Sequence, residues 1–352
     1  MPCWTRSRGN SAATSSRVAN GQRSGQESGE DSLIARYFKP IATDPGAFGL
    51  DDDAAVLKAR GEDIVVTTDA IVEGVHFLPN DPPDTVARKA LRVNLSDIAA
   101  KGASPAGFVL TLALRSVDES WLAAFSGALG EDATSFGCPL LGGDTVSTPG
   151  PLTVSITAFG RVAEGRVVHR SGARPGDLVL VTGSIGDAAL GLDVLKGGAV
   201  ATALAGDPAA KDMLISRYRV PQPRNVLAAA IRAHANAAMD VSDGLAGDLT
   251  KLCAASAVSA TIDTSRVPLS AAAAGLLARG VVGIETLIAG GDDYEILCAV
   301  PEAKMAALAA EAERAGVPLT GIGAIAQGTA APNFRDAQGR DIVLQRLSYS
   351  HF

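Results

Sequence analysis

The chain has 352 residues, of which 47% are apolar, 20% charged and 4% aromatic, and its net charge is −7. This length allows two packed domains with cores of small aliphatic residues, and the composition excludes a chain that is disordered throughout. The acidic balance excludes the basic surface that is typical of nucleic-acid-binding proteins.

The first half of the chain predicts one α/β or α+β domain. Residues 1–28 are rich in Ser, Gly and Arg and lack an amphipathic segment, so we expect a disordered tail there rather than a transit peptide. Apolar residues recur at helical spacing from near Ser32 onward. Runs of β-branched residues, which predict strands, and stretches without Gly, which predict helices, follow. The predicted strands cover 54–59, 63–69, 108–114 and 152–159, and the predicted helices cover 85–101 and 121–136. We assign this domain to residues 29–165.

The second half predicts another mixed domain. The segment 161–177 has many turn formers and little periodicity, so we place the junction there and assign residues 166–352 to the second domain. Strands are predicted at 178–183, 260–263 and 295–300, and helices at 187–195, 225–234 and 301–315. Alternating strands and helices in both halves indicate two mixed α/β layers.

The cysteines and the apolar runs indicate in which cellular compartment we expect the protein. The four cysteines are far apart and form no CxxC pair, which predicts neither a disulfide framework nor a zinc site and favours a reducing cytoplasm. No apolar run approaches the roughly 20 residues that span a bilayer, so we expect no membrane partner.

Aspartates recur at the ends of apolar runs, usually beside Gly, Ser or Thr. Magnesium prefers hard oxygen ligands and is held by one or two carboxylates together with water and phosphate, so several short Asp motifs suit several ions. Each motif alone is also typical of a turn or a helix cap. Asp97, for example, could instead pair with Lys101 one helical turn later. The aspartates in question are Asp51, Asp52, Asp53, Asp69, Asp97, Asp144, Asp240, Asp243, Asp292 and Asp293.

The familiar nucleotide and hydrolase motifs do not occur. The sequence contains no GxxxxGK[ST], HRD, DFG or GxSxG segment, and no two of its four histidines have metal-ligand spacing. A P-loop enzyme, a protein-kinase fold and ordinary hydrolase chemistry are therefore disfavoured.

A series of segments resembles the thiamine-monophosphate kinase family, in order over residues 29–352. They are GLDDDAAVL, VVTTDAIVEGVHF, KALRVNLSDIAAKGASPAGF, LLGGDT, HRSGARPGDLVLVTG, MDVSDGL and AGGDDYEI. The resemblance implies a two-domain aminoimidazole-ribonucleotide synthetase-like fold, with an N-terminal mixed sheet and helices at a dimer interface and a C-terminal α/β domain. It also implies ATP-dependent phosphorylation of thiamine monophosphate to thiamine diphosphate by a homodimer that uses several Mg²⁺ ions.

The same resemblance implies a role for each matching position. The metal ligands would be Asp53, Thr67, Thr68, Asp69, Asp97, Asp144, Asp240 and Asp243. ATP would contact Gly143, Asp144, Arg170 and Ser242, and the thiamine phosphate would contact His76 and Asp292. No general base is expected, so no residue is assigned a catalytic role of that kind.

Some positions depart from the family pattern, and other interpretations stay open. Asp51 replaces a Gly, Asp292 stands where Glu is frequent, and neither Tyr349 nor Arg346 is firmly assigned to pack on thiamine. Arg170 could cap the domain junction, and His76 could be an ordinary surface histidine. The alternatives for function are another ATP-dependent synthetase of the same superfamily and a non-catalytic nucleotide-binding module.

Overall fold

The computed structural model describes residues 33–45, 47, 59 and 61–348. Within them the chain forms two sheets, one of four strands and one of seven. Asp53 and most of the predicted strand 54–59 lie outside the described residues. No helix in the described part of the chain is long and apolar enough to cross a membrane.

The N-terminal unit begins with two short helical turns, Ile34–Phe38 and Lys39–Ile41. Its strands are β1 (Glu62–Val72), β2 (Ser104–Leu114), β3 (Leu140–Ser147) and β4 (Thr153–Ala163), and its helices are α1 (Pro83–Ala100) and α2 (Glu119–Ser135). A proline at the first position suits the start of α1, because its missing N–H would have no partner there. The left-handed φ of +68° at Gly102 follows the end of the same helix. Asp118 caps α2 by accepting from the backbone N–H groups of Ser120 and Trp121.

The N-terminal sheet has one covered and one open side. Its strand order is β1-β4-β2-β3, and β3 runs parallel to β2 while the other pairs are antiparallel. Alternate residues of β4, such as Val154 and Ile156, are buried in a core shared with α1 and α2. The other side, which we call the open face, carries the exposed Val66 and Val146, and its Val109 and Phe159 pack against a small cluster that includes Ala42 and Ala47. Val66 is 58% exposed.

The C-terminal unit is built on the seven-stranded sheet, in the order β11-β10-β7-β9-β5-β8-β6. Its strands are β5 (Leu178–Thr182), β6 (Ala237–Asp240), β7 (Ser259–Asp263), β8 (Ile296–Val300), β9 (Leu319–Ala326), β10 (Asn333–Arg335) and β11 (Asp341–Ile342). Its helices are α3 (Asp187–Leu195), α4 (Ala199–Ala203), α5 (Pro208–Arg219), α6 (Ala228–His234), α7 (Leu245–Ser256), α8 (Ala271–Ala278), α9 (Ile284–Ile288) and α10 (Glu302–Arg314). Short 3-10 turns precede α6 and follow β7.

Helix α1 belongs to the cores of both units. Most of its apolar side chains pack under the N-terminal sheet, but Ala99 and Ala100 at its end pack in a C-terminal core that includes Ile231 and Leu308. Hydrogen bonds also cross the junction, for example from Asn225 to the carbonyl of Leu95 at 3.0 Å. The last two turns of α1 therefore lie where the two units meet.

Candidate active site

Strand β1 presents two predicted ligands to the last two turns of α1. The Thr67 hydroxyl donates to Asp97 Oδ2 at 2.6 Å, and the Asp69 backbone N–H donates to Asn94 Oδ1 at 3.1 Å. Asn94 is buried and itself donates to the Ala90 carbonyl at 3.0 Å. Because positions 67 and 69 share one side of the strand, β1 and α1 together hold Asp69 and Asp97 near each other.

The turn after β6 supplies two more carboxylates from the C-terminal unit. Asp240 ends β6 and is 6% exposed, and Asp243 follows three residues later. The fully buried Asp248 accepts from the backbone N–H groups of Ser242 at 3.0 Å and Asp243 at 2.9 Å. Lys251 Nζ lies 2.5 Å from Asp243 Oδ2 and 2.8 Å from Asp248 Oδ1. The buried carboxylate of Asp248, in the first turn of α7, thus fixes the turn that carries Asp243.

The charges of these groups act on one another, which indicates that the groups lie close together. Burial, followed by Asp97 and Asp243, raises the pKa of Asp69 to about 6. Burial, followed by Asp97, raises the pKa of Asp240 well above its ordinary value, although the Ser96 hydroxyl acts in the opposite direction. Like charges have this effect only at short range. We call Asp69, Asp97, Asp240 and Asp243 the carboxylate cluster, and it spans both units.

The cluster suits magnesium ions that share their ligands with phosphate. Mg²⁺ is usually bound by one or two carboxylates and completes its shell with water and substrate oxygens. Among residues 33–45, 47, 59 and 61–348, no three His, Cys, Asp or Glu side chains are arranged to hold a metal ion by themselves. The raised pKa values of Asp69 and Asp240 show a surplus of negative charge that a cation would relieve.

Two cations flank the cluster. Lys101 Nζ donates to the Ala238 carbonyl at 3.0 Å and so is not engaged in the surface pair with Asp97 that the sequence allowed. Burial, followed by the charge of Arg170, lowers the pKa of Lys101, while Asp240 and Asp97 act in the opposite direction. Arg170 is exposed. Its guanidinium is therefore close to the site and open to an anionic ligand.

The loop before β8 lies against the turn after β6 in a strained conformation. The N–H groups of Asp292 and Tyr294 donate to the carbonyls of Ser242 at 2.7 Å and Val241 at 2.8 Å. Asp292 and Tyr294 have φ values of +64° and +50°, which are costly for residues with a side chain. A Cβ at Gly291 would meet the Ser242 carbonyl. The hydrogen bonds to the neighbouring turn help to hold this loop conformation.

The two predicted substrate residues meet at one lysine. The carbonyl of His76 accepts from Lys89 Nζ at 2.9 Å, and Lys89 Nζ also lies 3.0 Å from Asp292 Oδ2. The His76 ring is fixed on its other side, since its Nδ1 accepts from the Val72 N–H at 3.1 Å. The structure therefore brings His76 and Asp292 together from the two units.

Thr68 points away from the cluster. Its hydroxyl donates to the Ile156 carbonyl at 3.2 Å and accepts from the Thr157 hydroxyl at 3.0 Å. As the neighbour of Thr67 on a strand, its side chain projects from the open face. The Thr68 side chain is therefore not placed to bind a metal ion at the cluster.

Asp144 is also separated from the cluster within one copy of the chain. It pairs with Thr111 on β2, which pairs with Ser155 on β4, which in turn pairs with Ala70 on β1. Three inter-strand steps of about 4.8 Å place Asp144 roughly 14 Å from β1. Gly143 has a packing reason to be glycine, because a Cβ there would meet the Leu110 carbonyl. Asp144 could thus act only on a different ion or phosphate, or from a second copy.

The other two acidic residues of the GGDDYE segment are structural. Glu295 is fully buried and binds Arg217 at 2.8 Å and Arg224 at 2.5 Å. Asp293 is buried too and accepts from the Gly186 N–H at 2.9 Å. Of the three carboxylates in this segment, only that of Asp292 faces the site.

Several residues of the site had no role in the sequence-based prediction. Asp248 and Lys251 organise the turn after β6, and Lys89 and Tyr218 organise the substrate side. A carboxylate in the first turn of a helix is a recognisable cap, so Asp248 could have been predicted from the sequence. Lys89 could not have been predicted, because a lysine in a helical segment is normally expected to be exposed.

Comparisons with known proteins cover most of the chain. Models described as AIR synthase related protein, N-terminal domain, and AIR synthase related protein, C-terminal domain, match residues 51–162 and 174–331. A thiamine-monophosphate kinase of Caulobacter vibrioides is 44% identical over 324 residues, covering 90% of this chain and 89% of that protein. The corresponding protein of Escherichia coli K12 is 40% identical over 331 residues, covering 92% and 98%.

Similar solved structures also cover most of the chain. The crystal structure of thiamine-monophosphate kinase from Stenotrophomonas maltophilia K279a aligns with a TM-score of 0.77 and 38% identity, covering 89% of this chain and 96% of that one. AaThiL complexed with AMPPCP and TMP aligns with a TM-score of 0.71 and 28% identity, covering 87% and 97%. The hydrogenase maturation protein HypE in complex with ATP shares the fold at a TM-score of 0.75, with 20% identity, 93% coverage of this chain and 96% of that one.

Proposed function

Because the chain belongs to the thiamine-monophosphate kinase family, we propose that it transfers the γ-phosphoryl group of ATP to thiamine monophosphate, giving thiamine diphosphate and ADP. The observation that carries the proposal is the meeting of the carboxylate cluster with the His76 and Asp292 pair at the junction of the two units. A relative of the same fold has been solved with AMPPCP and TMP, an ATP analogue and the phosphate acceptor of this reaction.

The acceptor explains why such a site would need many carboxylates and no strong general base. The second pKa of a phosphate monoester is near 6, so thiamine monophosphate is already mostly dianionic at neutral pH. The barrier is the approach of this dianion to the γ-phosphate, and catalysis then depends on positioning and charge neutralisation. We infer direct in-line transfer without a phosphorylated enzyme.

We assign a role to each residue from its place in the site. The carboxylate cluster, with Asp53 from the sequence, would hold several magnesium ions, which supply charge neutralisation and orientation to both phosphates. The Thr67 hydroxyl orients Asp97 through its 2.6 Å hydrogen bond. Arg170 and the Ser242 turn would contact ATP, and His76 and Asp292 would bind the thiamine phosphate.

We further propose a homodimer formed through the open face. Val66 and Val146, both exposed, lie on this face with Phe159, and Thr68 and Asp144 lie among them. A sheet face with exposed valines is typical of a contact surface. Gly143 and Asp144 would then serve ATP and metal from a position that one copy alone does not bring to the cluster.

The dimer proposal has a matched test. Val66→Glu should reduce the molar mass measured by light scattering from that of two chains to that of one. Val226→Glu, at a position that is 66% exposed in the C-terminal unit, should leave the mass unchanged. Two-chain mass for Val66→Glu would rule out this face.

The catalytic proposal is tested by ADP formation from ATP and magnesium in the presence and absence of thiamine monophosphate. We expect ADP to form only when thiamine monophosphate is added. ADP formation that depends instead on an aminoimidazole precursor would show another synthetase of the superfamily, and no ADP with any acceptor would favour a nucleotide-binding module. The buried free cysteines Cys138, Cys253 and Cys298 agree with a cytoplasmic enzyme, which is the setting we propose.

A further inference from the structure

Lys89 is a buried cation at the junction of the two units. Its side chain is 2% exposed, which makes it one of the largest fully buried side chains of the described residues. A buried ammonium group is costly unless hydrogen bonds and opposite charge compensate it. The ammonium group of Lys89 therefore needs hydrogen-bond acceptors and an opposite charge around it. The residues that supply them indicate the role of Lys89.

The partners come from three separate parts of the chain. Lys89 Nζ donates to the His76 carbonyl at 2.9 Å and binds Asp292 Oδ2 at 3.0 Å, and it lies 3.9 Å from the ring centroid of Tyr218. The Tyr218 hydroxyl also donates to the His76 carbonyl at 3.1 Å. A charge-assisted hydrogen bond, a carboxylate and an aromatic face together stabilise the ammonium group.

Both residues held by Lys89 are the ones that face the thiamine phosphate in the proposed function. His76 follows β1 in the N-terminal unit, whereas Asp292 belongs to the C-terminal unit and is held at a φ of +64°. A strained backbone of this kind keeps its geometry only when its surroundings fix it. Lys89 supplies the ionic contact on the Asp292 side chain.

We infer that Lys89 is a positioning residue for the thiamine-phosphate side of the site, which sets the placement of His76 relative to Asp292. The inference rests on the proposed function. Lys89 itself is too deeply buried to touch the substrate, so it acts through these two residues. Among the described residues its hydrogen bonds and its ion pair go to His76 and Asp292 and not to the carboxylate cluster, so we expect ATP binding to be independent of it.

The test compares KM values for the two substrates in Lys89→Met, which keeps the length of the side chain and removes its charge. We expect the KM for thiamine monophosphate to rise about tenfold while the KM for ATP changes less than about twofold. Tyr218→Phe, which removes the hydroxyl that donates to the His76 carbonyl, should raise the same KM by about threefold.

The matched control is Arg92→Met. Arg92 lies on the same helix, binds the buried Asp132 at 2.6 Å and donates across the junction to the Pro221 carbonyl at 3.0 Å, but it touches neither His76 nor Asp292. We expect this variant to lower the melting temperature and to leave the KM for thiamine monophosphate unchanged. A shared loss of stability thus cannot imitate the expected result.

The possible results distinguish a failure of the positioning role from a failure of the proposed function. If the wild-type chain forms no ADP with thiamine monophosphate, the proposed function fails. If the wild type is active but the KM for thiamine monophosphate is unchanged in Lys89→Met and Tyr218→Phe, or rises equally for ATP, the positioning role is overturned and the function stands. Should Lys89→Met fail to fold, the KM values of Tyr218→Phe decide between these results.

Discussion

Replacing Asp69 by asparagine is expected to stabilise the protein in the absence of metal at pH 8, although it removes a predicted metal ligand. Asn has nearly the same shape, and the hydrogen bond from the backbone N–H at this position to Asn94 is retained. What disappears is a negative charge that burial, Asp97 and Asp243 all disfavour. Groups that serve function are often held at such a cost in stability.

The sign follows from the raised pKa of Asp69. Its ordinary value is 3.8 and its value in the folded protein is about 6, so the folded state binds this proton more tightly than the unfolded chain. The contribution to the free energy of unfolding is therefore fully present below pH 3.8 and is lost as the pH rises through about 6. At pH 8 the wild type carries the full penalty, and the asparagine variant does not.

The size of the effect follows from the same values. The difference between 3.8 and about 6 would correspond to about 3 kcal/mol for a fully buried group. Asp69 is exposed on one side, so solvent screening reduces this figure to about 1 kcal/mol. For a chain of this size the melting temperature should rise by about 2 °C.

The assay is thermal unfolding in EDTA at pH 5 and pH 8, with the wild type and Asp69→Asn measured side by side. At pH 5, which lies between the ordinary pKa and the raised one, only about half of this penalty is present, so the advantage of the variant should be about half as large as at pH 8. At pH 8 the variant should melt higher. An equal or lower melting temperature for Asp69→Asn at pH 8 would refute the crowding of charge on which the carboxylate cluster is based.

Other substitutions separate the parts of the site. Asp97→Asn should lower kcat by about 100-fold or more with little change in melting temperature, because positioning of the phosphates depends on its charge; near-normal kcat would remove Asp97 from the site. His76→Ala should raise the KM for thiamine monophosphate severalfold and leave the KM for ATP nearly unchanged, and the opposite pattern in steady-state kinetics would move His76 to the nucleotide side. Arg224→Met should lower the free energy of unfolding by about 2 kcal/mol in denaturant titrations, because Glu295 stays buried with Arg217 alone; no loss would show that this pair contributes little.

The regular elements with clear periodicity were predictable from the sequence. The predicted helix 85–101 is α1 at Pro83–Ala100, and the predicted helix 187–195 coincides with α3. Strand β3 was not predicted, since LLGGDT contains two glycines and an aspartate, which are disfavoured in strands. It forms because Gly143 lets β3 approach the Leu110 carbonyl closely.

The site was predictable in its residue types and less so in its geometry. The resemblance to the kinase family and the two-domain fold are confirmed by the relatives and solved structures. The individual ligand assignments stay predictions. The sequence does not contain the strand order, and so it could not separate Asp144 from Asp69 or show that Thr68 faces the other side of β1. Nor could it find Lys89, whose partners lie on distant segments.

The most direct measurement follows the labelled γ-phosphate of ATP during a single turnover with magnesium and thiamine monophosphate. The label should appear in the terminal phosphate of thiamine diphosphate, with ADP in equal amount and none on the protein. Thiamine without its phosphate should accept no label. Label retained on the protein as a reaction intermediate would contradict direct transfer, and label found only in inorganic phosphate would contradict the kinase function itself.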